Sequence, residues 1–309
     1  MAVMAMAIVV WAAAPATPAP TCPSGRPQIH GTSGSDTLKG TAASENLLAG
    51  GGNDDVVALA GADCVLAGSG DDDVAAGDGD DLVFGESGAD DLGGGAGSDT
   101  LDGGDGPDRV VGQSGTDALT GGAGGDTLSG GDDADRIRGE GGRDRLSGGS
   151  GGDSLNGGSG RDRLSGQGGD DRLTGGSRRD FLFGSTGADL LLGGSGADVL
   201  AGGSGRDILK GGRNGDSLGG GSGSDRLVGG SGRDNLDGSS GNDRLFGGPS
   251  ADKLKGGPGR DFVSGGGGND FIGVVDGRVD RVRCGSGSDL VVADSSDHVA
   301  ADCDQVRRL

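Results

Sequence analysis

The residues of this chain best equipped for chemistry are its aspartates, and they recur in step. Counting in nines from Asp162 in both directions, an acid stands at every position from Asp36 to Asp270, twenty-seven in all, and each is Asp except Glu45. Two residues after every acid comes Leu, Val or Ile, from Leu38 and Leu47 through Val110, Ile137 and Leu164 to Ile272. Two residues before it comes Gly in twenty-two copies, the departures being Ala43, Asp133, Arg178, Asn214 and Ser250. Residues 157–165, GGSGRDRLS, show the unit cleanly. Carboxylates are hard oxygen donors, and a glycine-rich stretch offers backbone carbonyls beside them. Together they make the oxygen-only ligand set that calcium prefers, whereas magnesium demands stricter octahedral geometry and keeps its water.

Other chemistry finds no footing. A formal GxSxG at residues 148–152 is built from repeat glycines and lacks the strand-to-helix context of a nucleophile elbow. His30 and His298 are the only histidines, stand near opposite ends, and have no triad or zinc constellation around them. No Gly-Lys dipeptide occurs, which excludes a P-loop. The chain is not expected to be an enzyme.

The elements that must position the acids follow from the same period. Each unit divides into a six-residue glycine-rich loop ending at the acid and a three-residue strand centred on the aliphatic residue. Alternation in a strand sends that aliphatic side chain to one face and its neighbours to the other. Strands stacked in parallel make a sheet, and two sheets facing each other bury the aliphatic rows between them, so one coil is two units. Each acid then lies beside the acid eighteen residues on, Asp162 between Asp144 and Asp180. A column of bare carboxylates repels itself; a column filled with hard divalent cations is a ladder. With 77 Gly, no Tyr and six Phe among 309 residues, the apolar inventory is too thin to order such a chain alone.

At this point the units resemble the RTX nonapeptide, GGxGxDxUx, of hemolysin-type calcium-binding proteins. The likeness spans residue 31 to about residue 272. It implies an all-β fold, a right-handed parallel β-roll or β-solenoid with two nonapeptides per coil, which binds several Ca2+ ions in its turns and is disordered without them. The ligand role carries over to Asp36, Asp54, Asp63, Asp72, Asp81, Asp90, Asp99, Asp108, Asp117, Asp126, Asp135, Asp144, Asp153 and Asp162. It continues through Asp171, Asp180, Asp189, Asp198, Asp207, Asp216, Asp225, Asp234, Asp243, Asp252, Asp261 and Asp270, and recurs at Asp289. The Asp180 site is expected to be the weakest, because Arg178 and Arg179 bring positive charge to the loop that should hold a cation.

Residues 1–20 form an apolar run ending in small residues and prolines, read as a secretory signal cleaved near Ala14-Pro15-Ala16, although no Lys or Arg precedes the run. It is too short to span a membrane. Residues 21–35 are expected to form an N-terminal cap and residues 36–272 the repeat roll. In residues 273–309 the acid-aliphatic pairing persists while its spacing shrinks from ten residues to seven, as in a degenerate C-terminal cap. Four cysteines with an export signal point to disulfides. Of the three possible connectivities, Cys22 with Cys64 and Cys284 with Cys303 suits the spacing, since nineteen residues is close to one coil.

The net charge of -22 is unevenly spread. Residues 1–130 hold Arg26, Lys39 and Arg109 against 20 acids, while residues 131–309 hold 23 bases against 28 acids. Such acidity speaks against nucleic acid as a partner and for cations. The expected function is therefore a secreted, extracellular calcium-binding protein. The alternative is a calcium-stabilised adhesin or cell-envelope binder whose outer face holds an anionic polymer or other surface ligand. Arginines recurring beside the acid, as at Arg136, Arg145, Arg163, Arg172, Arg226 and Arg244, suit the alternative.

Overall fold

The structure, a computed structural model, describes residues 20–309. The expected leader lies outside the described residues except for its last residue. Thirty-two strands follow one another from β1 (Gln28–His30) to β32 (Gln305–Arg308), with no helix among the described residues. Odd-numbered strands make one 16-stranded sheet and even-numbered strands the other, so consecutive strands always belong to opposite sheets. Every pairing is parallel. Leu146 of β14 (Arg145–Ser150) pairs with Leu164 of β16 (Arg163–Gly168), and Leu164 pairs with Leu182 of β18 (Phe181–Thr186). The offset is eighteen residues, which makes one coil two nonapeptides, as expected.

The strands are longer than the glycine pattern suggested. Most span six residues instead of three, leaving turns of about three, such as residues 169–171 between β16 and β17 (Arg172–Ser177). The reason lies in the backbone. Beyond the aliphatic residue the glycine segment stays extended and pairs between coils, Gly149 with Gln167 and Ser150 with Gly168. The chain reverses with the help of two positive-φ positions, four and two residues before the acid. The second is where Asp133, Arg178 and Asn214 replace glycine, and all three adopt φ between 73° and 77°. Ala43 and Ser250 stand at the same place without adopting it.

Burial alternates along each strand. In β16, Arg163 is exposed, Leu164 buried, Ser165 half-buried and Gly166 buried. Each unit therefore sends three residues inward: the aliphatic residue, the glycine two places on, and the acid. Leu164, Leu173, Leu182 and Leu191 have no exposed surface, and the aliphatic rows of the two sheets form one continuous core. At the inward glycine position the early coils carry Ala49, Ala58, Ala67 and Ala76, all fully buried.

Both ends are stapled. Cys22 bonds Cys64, and Cys284 bonds Cys303, the connectivity expected from the sequence. Near the C-terminus the offset changes to nineteen at Phe262 and Arg281, seventeen at Arg281 and His298, and fifteen at Leu290 and Gln305. Parallel pairing survives both the added and the missing residues.

Left-handed backbone costs an L-residue with a side chain roughly 1–2 kcal/mol, a penalty glycine escapes. Arg178→Gly is accordingly expected to stabilise the calcium-loaded protein by about 1 kcal/mol, read as a higher urea midpoint with an unchanged m-value. An unchanged or lower midpoint would show that the arginine side chain offsets its own strain.

Candidate metal centre

Each acid sits at the close of a turn, where the strand's alternation carries its side chain inward, and it reaches the backbone of the preceding coil. The N–H of Asp144 donates to Asp162 Oδ1 at 3.0 Å, that of Asp162 to Asp180 Oδ1 at 2.9 Å, and that of Asp180 to Asp198 Oδ1 at 2.8 Å. The backbone carbonyl of Asp162 in turn accepts the N–H of Phe181 at 2.9 Å. The acids thus form two columns, one for each series of turns, in which every member is tied to its neighbours eighteen residues away.

One oxygen of each carboxylate is left over. From Asp54 to Asp289, twenty-seven Oδ2 atoms are buried with no hydrogen-bond partner. From Asp90 to Asp270 they face the inward glycines. A Cβ built on Gly157 would stand 2.6 Å from Asp162 Oδ2 and 2.8 Å from the carbonyl oxygen of Gly175, one coil on. The missing side chain therefore opens an oxygen-lined cradle beside every inward glycine from Gly85 to Gly265. At Ala49, Ala58, Ala67 and Ala76 a methyl group stands in that place.

The two ends of the columns are built differently. Asp36 Oδ2 accepts the Thr32 hydroxyl at 2.8 Å, and the Glu45 carboxylate accepts both the N–H and the hydroxyl of Thr41. Asp297 Oδ2 accepts the N–H of Asp294 at 2.8 Å. Asp36, Glu45 and Asp297 are thus satisfied by protein, whereas the acids from Asp54 to Asp289 are not.

Of the acids expected as ligands, those from Asp54 to Asp270 share this arrangement, and Asp289 joins them, its Oδ1 accepting the N–H of Asp270. Asp36 differs through Thr32. Asp180, beside Arg178 and Arg179, has the same two contacts and the same orphaned oxygen as its neighbours. Asp280, absent from the expected set, also has an orphaned Oδ2, and its Oδ1 accepts the N–H of Asp261 at 2.7 Å. Its pairing with Val282 was visible in the sequence, but it stands ten residues from Asp270, outside the strict count.

The electrostatics of the columns follow from burial. Asp162 is pushed up to about 6, and Asp171 and Asp180 to about 7. Desolvation is the main cause. The backbone N–H bond works in the opposite direction, and neighbouring carboxylates of the same column raise the values further. Among the described residues no three His, Cys, Asp or Glu side chains converge on one point. The donors on offer are single-file carboxylates and backbone carbonyls. That set suits a hard cation of flexible coordination and excludes the nitrogen and sulfur sites of zinc. An orphaned buried carboxylate oxygen, repeated in register beside an open cradle, fits calcium.

The family model for the RTX calcium-binding nonapeptide repeat matches in successive stretches that together cover residues 30–272. The chain belongs to the RTX calcium-binding nonapeptide-repeat family. Calcium binding by a β-roll of parallel strands is thus a property of this protein. Among solved structures it is similar to a hyperactive, Ca2+-dependent, beta-helical antifreeze protein from an Antarctic bacterium. That likeness has 22% identity, 77% coverage of this chain, 83% coverage of the other and a TM-score of 0.36. No curated protein matches the chain in sequence.

The raised pKa values fix a sign for the calcium-free protein. Acids that hold protons up to about 6 or 7 when folded release them from the ordinary value of 3.8 when unfolded. Their contribution to stability is complete below pH 4 and lost as the pH rises through 6 to 7. Calcium-free RTX protein is therefore expected to show more β-structure by circular dichroism at pH 4 than at pH 7.5. A spectrum independent of pH over that range would contradict a buried, proton-holding column.

Proposed function

We propose that this RTX protein is secreted and that calcium, met outside the cell, completes its fold. The observation that carries the reading is the run of orphaned buried carboxylate oxygens from Asp54 to Asp289, which contrasts with Asp36, Glu45 and Asp297, whose oxygens accept hydrogen bonds from protein. Burying an unpaired ionised oxygen is costly, and twenty-seven of them in two files cannot all remain charged and unaccompanied. A bound divalent cation supplies the positive charge that lets neighbouring carboxylates remain ionised side by side. The acids from Asp90 to Asp270, each with an inward glycine, would hold it through Oδ2 with help from loop carbonyls. Asp54, Asp63, Asp72 and Asp81 have a methyl group in the cradle instead and would hold it less well. Two disulfides fit an oxidising compartment.

The protein acts by binding, and no catalysis is assigned to it. A second reading, that the outer face captures an anionic envelope polymer as an adhesin would, is favoured by the exposed arginines of the C-terminal half.

Two measurements check the calcium reading. Circular dichroism at neutral pH is expected to pass from disordered to β on calcium titration and to revert on chelation; a β spectrum that persists in excess chelator sinks the proposal. Gly157→Ala puts a methyl group into one cradle. The four early alanines show that the coil accepts it, so the saturated spectrum should be preserved while calorimetry finds weaker or fewer bound ions. Unaltered calcium uptake would move the ligands away from the inward glycine.

A further inference from the structure

Burial divides the charges of this protein in a way its net charge conceals. In residues 131–309, nineteen of the 28 acids are buried, which leaves nine at the surface against 23 bases. In residues 1–130, ten of the 20 acids are buried, leaving ten against three bases. The outer surface is acidic in the first part, with Asp55, Asp73 and Asp91 in register on the even-numbered sheet, and basic in the second.

The basic surface is shaped. On the odd-numbered sheet, Arg226 pairs in register with Arg244, Arg244 with Phe262, Phe262 with Arg281, and Arg281 with His298. A second row in the adjoining turns carries Arg206 and Arg260. Between the rows runs an open groove of about 880 Å³. Like charges opposite one another in a sheet are destabilising. Yet none of these arginines has an ion-pair partner, because the ion pairs among the described residues are Arg109 with Asp91 and Lys255 with Asp237. The Arg226 guanidinium is instead held 4.4 Å over the Phe246 ring, which fixes its position. The acids that line the groove itself, Asp207, Asp225, Asp243 and Asp261, all belong to the buried column, and calcium would occupy it.

We propose that this groove binds a linear acidic polysaccharide along the solenoid axis. The forked guanidinium suits carboxylate and sulfate groups, and positive charge recurs at the strand spacing of about 4.8 Å over several coils, which a single small anion cannot span. A nucleic acid fits less well, because stacking platforms are wanted for it and Phe262 is the one phenylalanine lining the groove, with no Tyr or Trp beside it. The proposal rests on the calcium reading, which supplies the neutralisation of the column behind the arginines.

The test uses the full chain in calcium with three fluorescent probes: dextran sulfate, hyaluronate and a single-stranded oligonucleotide. Arg226→Gln with Arg244→Gln removes two charges from the groove; Lys253→Gln with Lys255→Gln removes two from the opposite sheet at a similar height. The groove variant is expected to lose about tenfold or more in affinity for a polysaccharide, and the lysine variant no more than about twofold. Binding of either polysaccharide with that difference supports the proposal, and the preferred polymer identifies the anion as sulfate or carboxylate. Equal losses in the two variants, no polysaccharide binding by the wild type, or tighter binding of the oligonucleotide overturns it. Circular dichroism with and without calcium, recorded on each sample, separates the two readings: groove-specific binding by a protein that keeps its β spectrum in chelator retains the groove and removes the calcium reading.

Discussion

Each coil of this roll is fastened to the next by a carboxylate that has only half of what it needs. One oxygen accepts the backbone N–H of the acid one coil back; the other is buried and waits. The rest of the architecture accommodates this arrangement. The inward position beside Asp162 is glycine, which leaves open the space beside the free carboxylate oxygen that a methyl group fills in the early coils, and the turn is tight because the acid closes it. The aliphatic row holds the sheets together without supplying enough apolar surface to dominate. Core and binding site are therefore the same structure, and a change to one is a change to the other.

Because the bonds run between coils, stability is a matter of neighbours. Repeats of this kind behave as a line of units in which each is stabilised by those beside it. The line must also end. Thr32 and Thr41 close one end by giving the first acids the hydrogen bonds that later acids lack, and the N–H of Asp294 does the same for Asp297. The disulfides lie outside or beside these closures, where an unzipping coil would start.

Much of this was legible in the sequence. The pairing of Asp162 with Leu164 and the eighteen-residue offset follow from the period itself, and the Cys284–Cys303 bridge follows from cysteines lying about one coil apart. Strand length was not legible, since Gly166 and Gly168 read as loop although their backbone pairs as sheet. The inward glycine could have been found by counting two residues on from Leu164. The positive-φ position four residues before the acid was obscured by Glu86, Gln113, Glu140 and Gln167, whose side chains disguise a glycine-like backbone. The separation of surface from interior charge was hidden for a different reason: formal charge is summed over the chain, whereas burial is decided residue by residue.

The alternation of strands between two sheets sets the increment by which such a chain can lengthen or shorten. Gain or loss of eighteen residues adds or removes one coil and leaves every later residue on its own face. Loss of nine would send every later strand to the opposite sheet. The aliphatic core would be unaffected, since both sheets use the same unit, but the row of Arg226, Arg244 and Arg281 would move to the face that carries Asp55, Asp73 and Asp91. The nonapeptide is the unit of folding, and the pair of nonapeptides is the unit of inheritance for whatever the outer surface does.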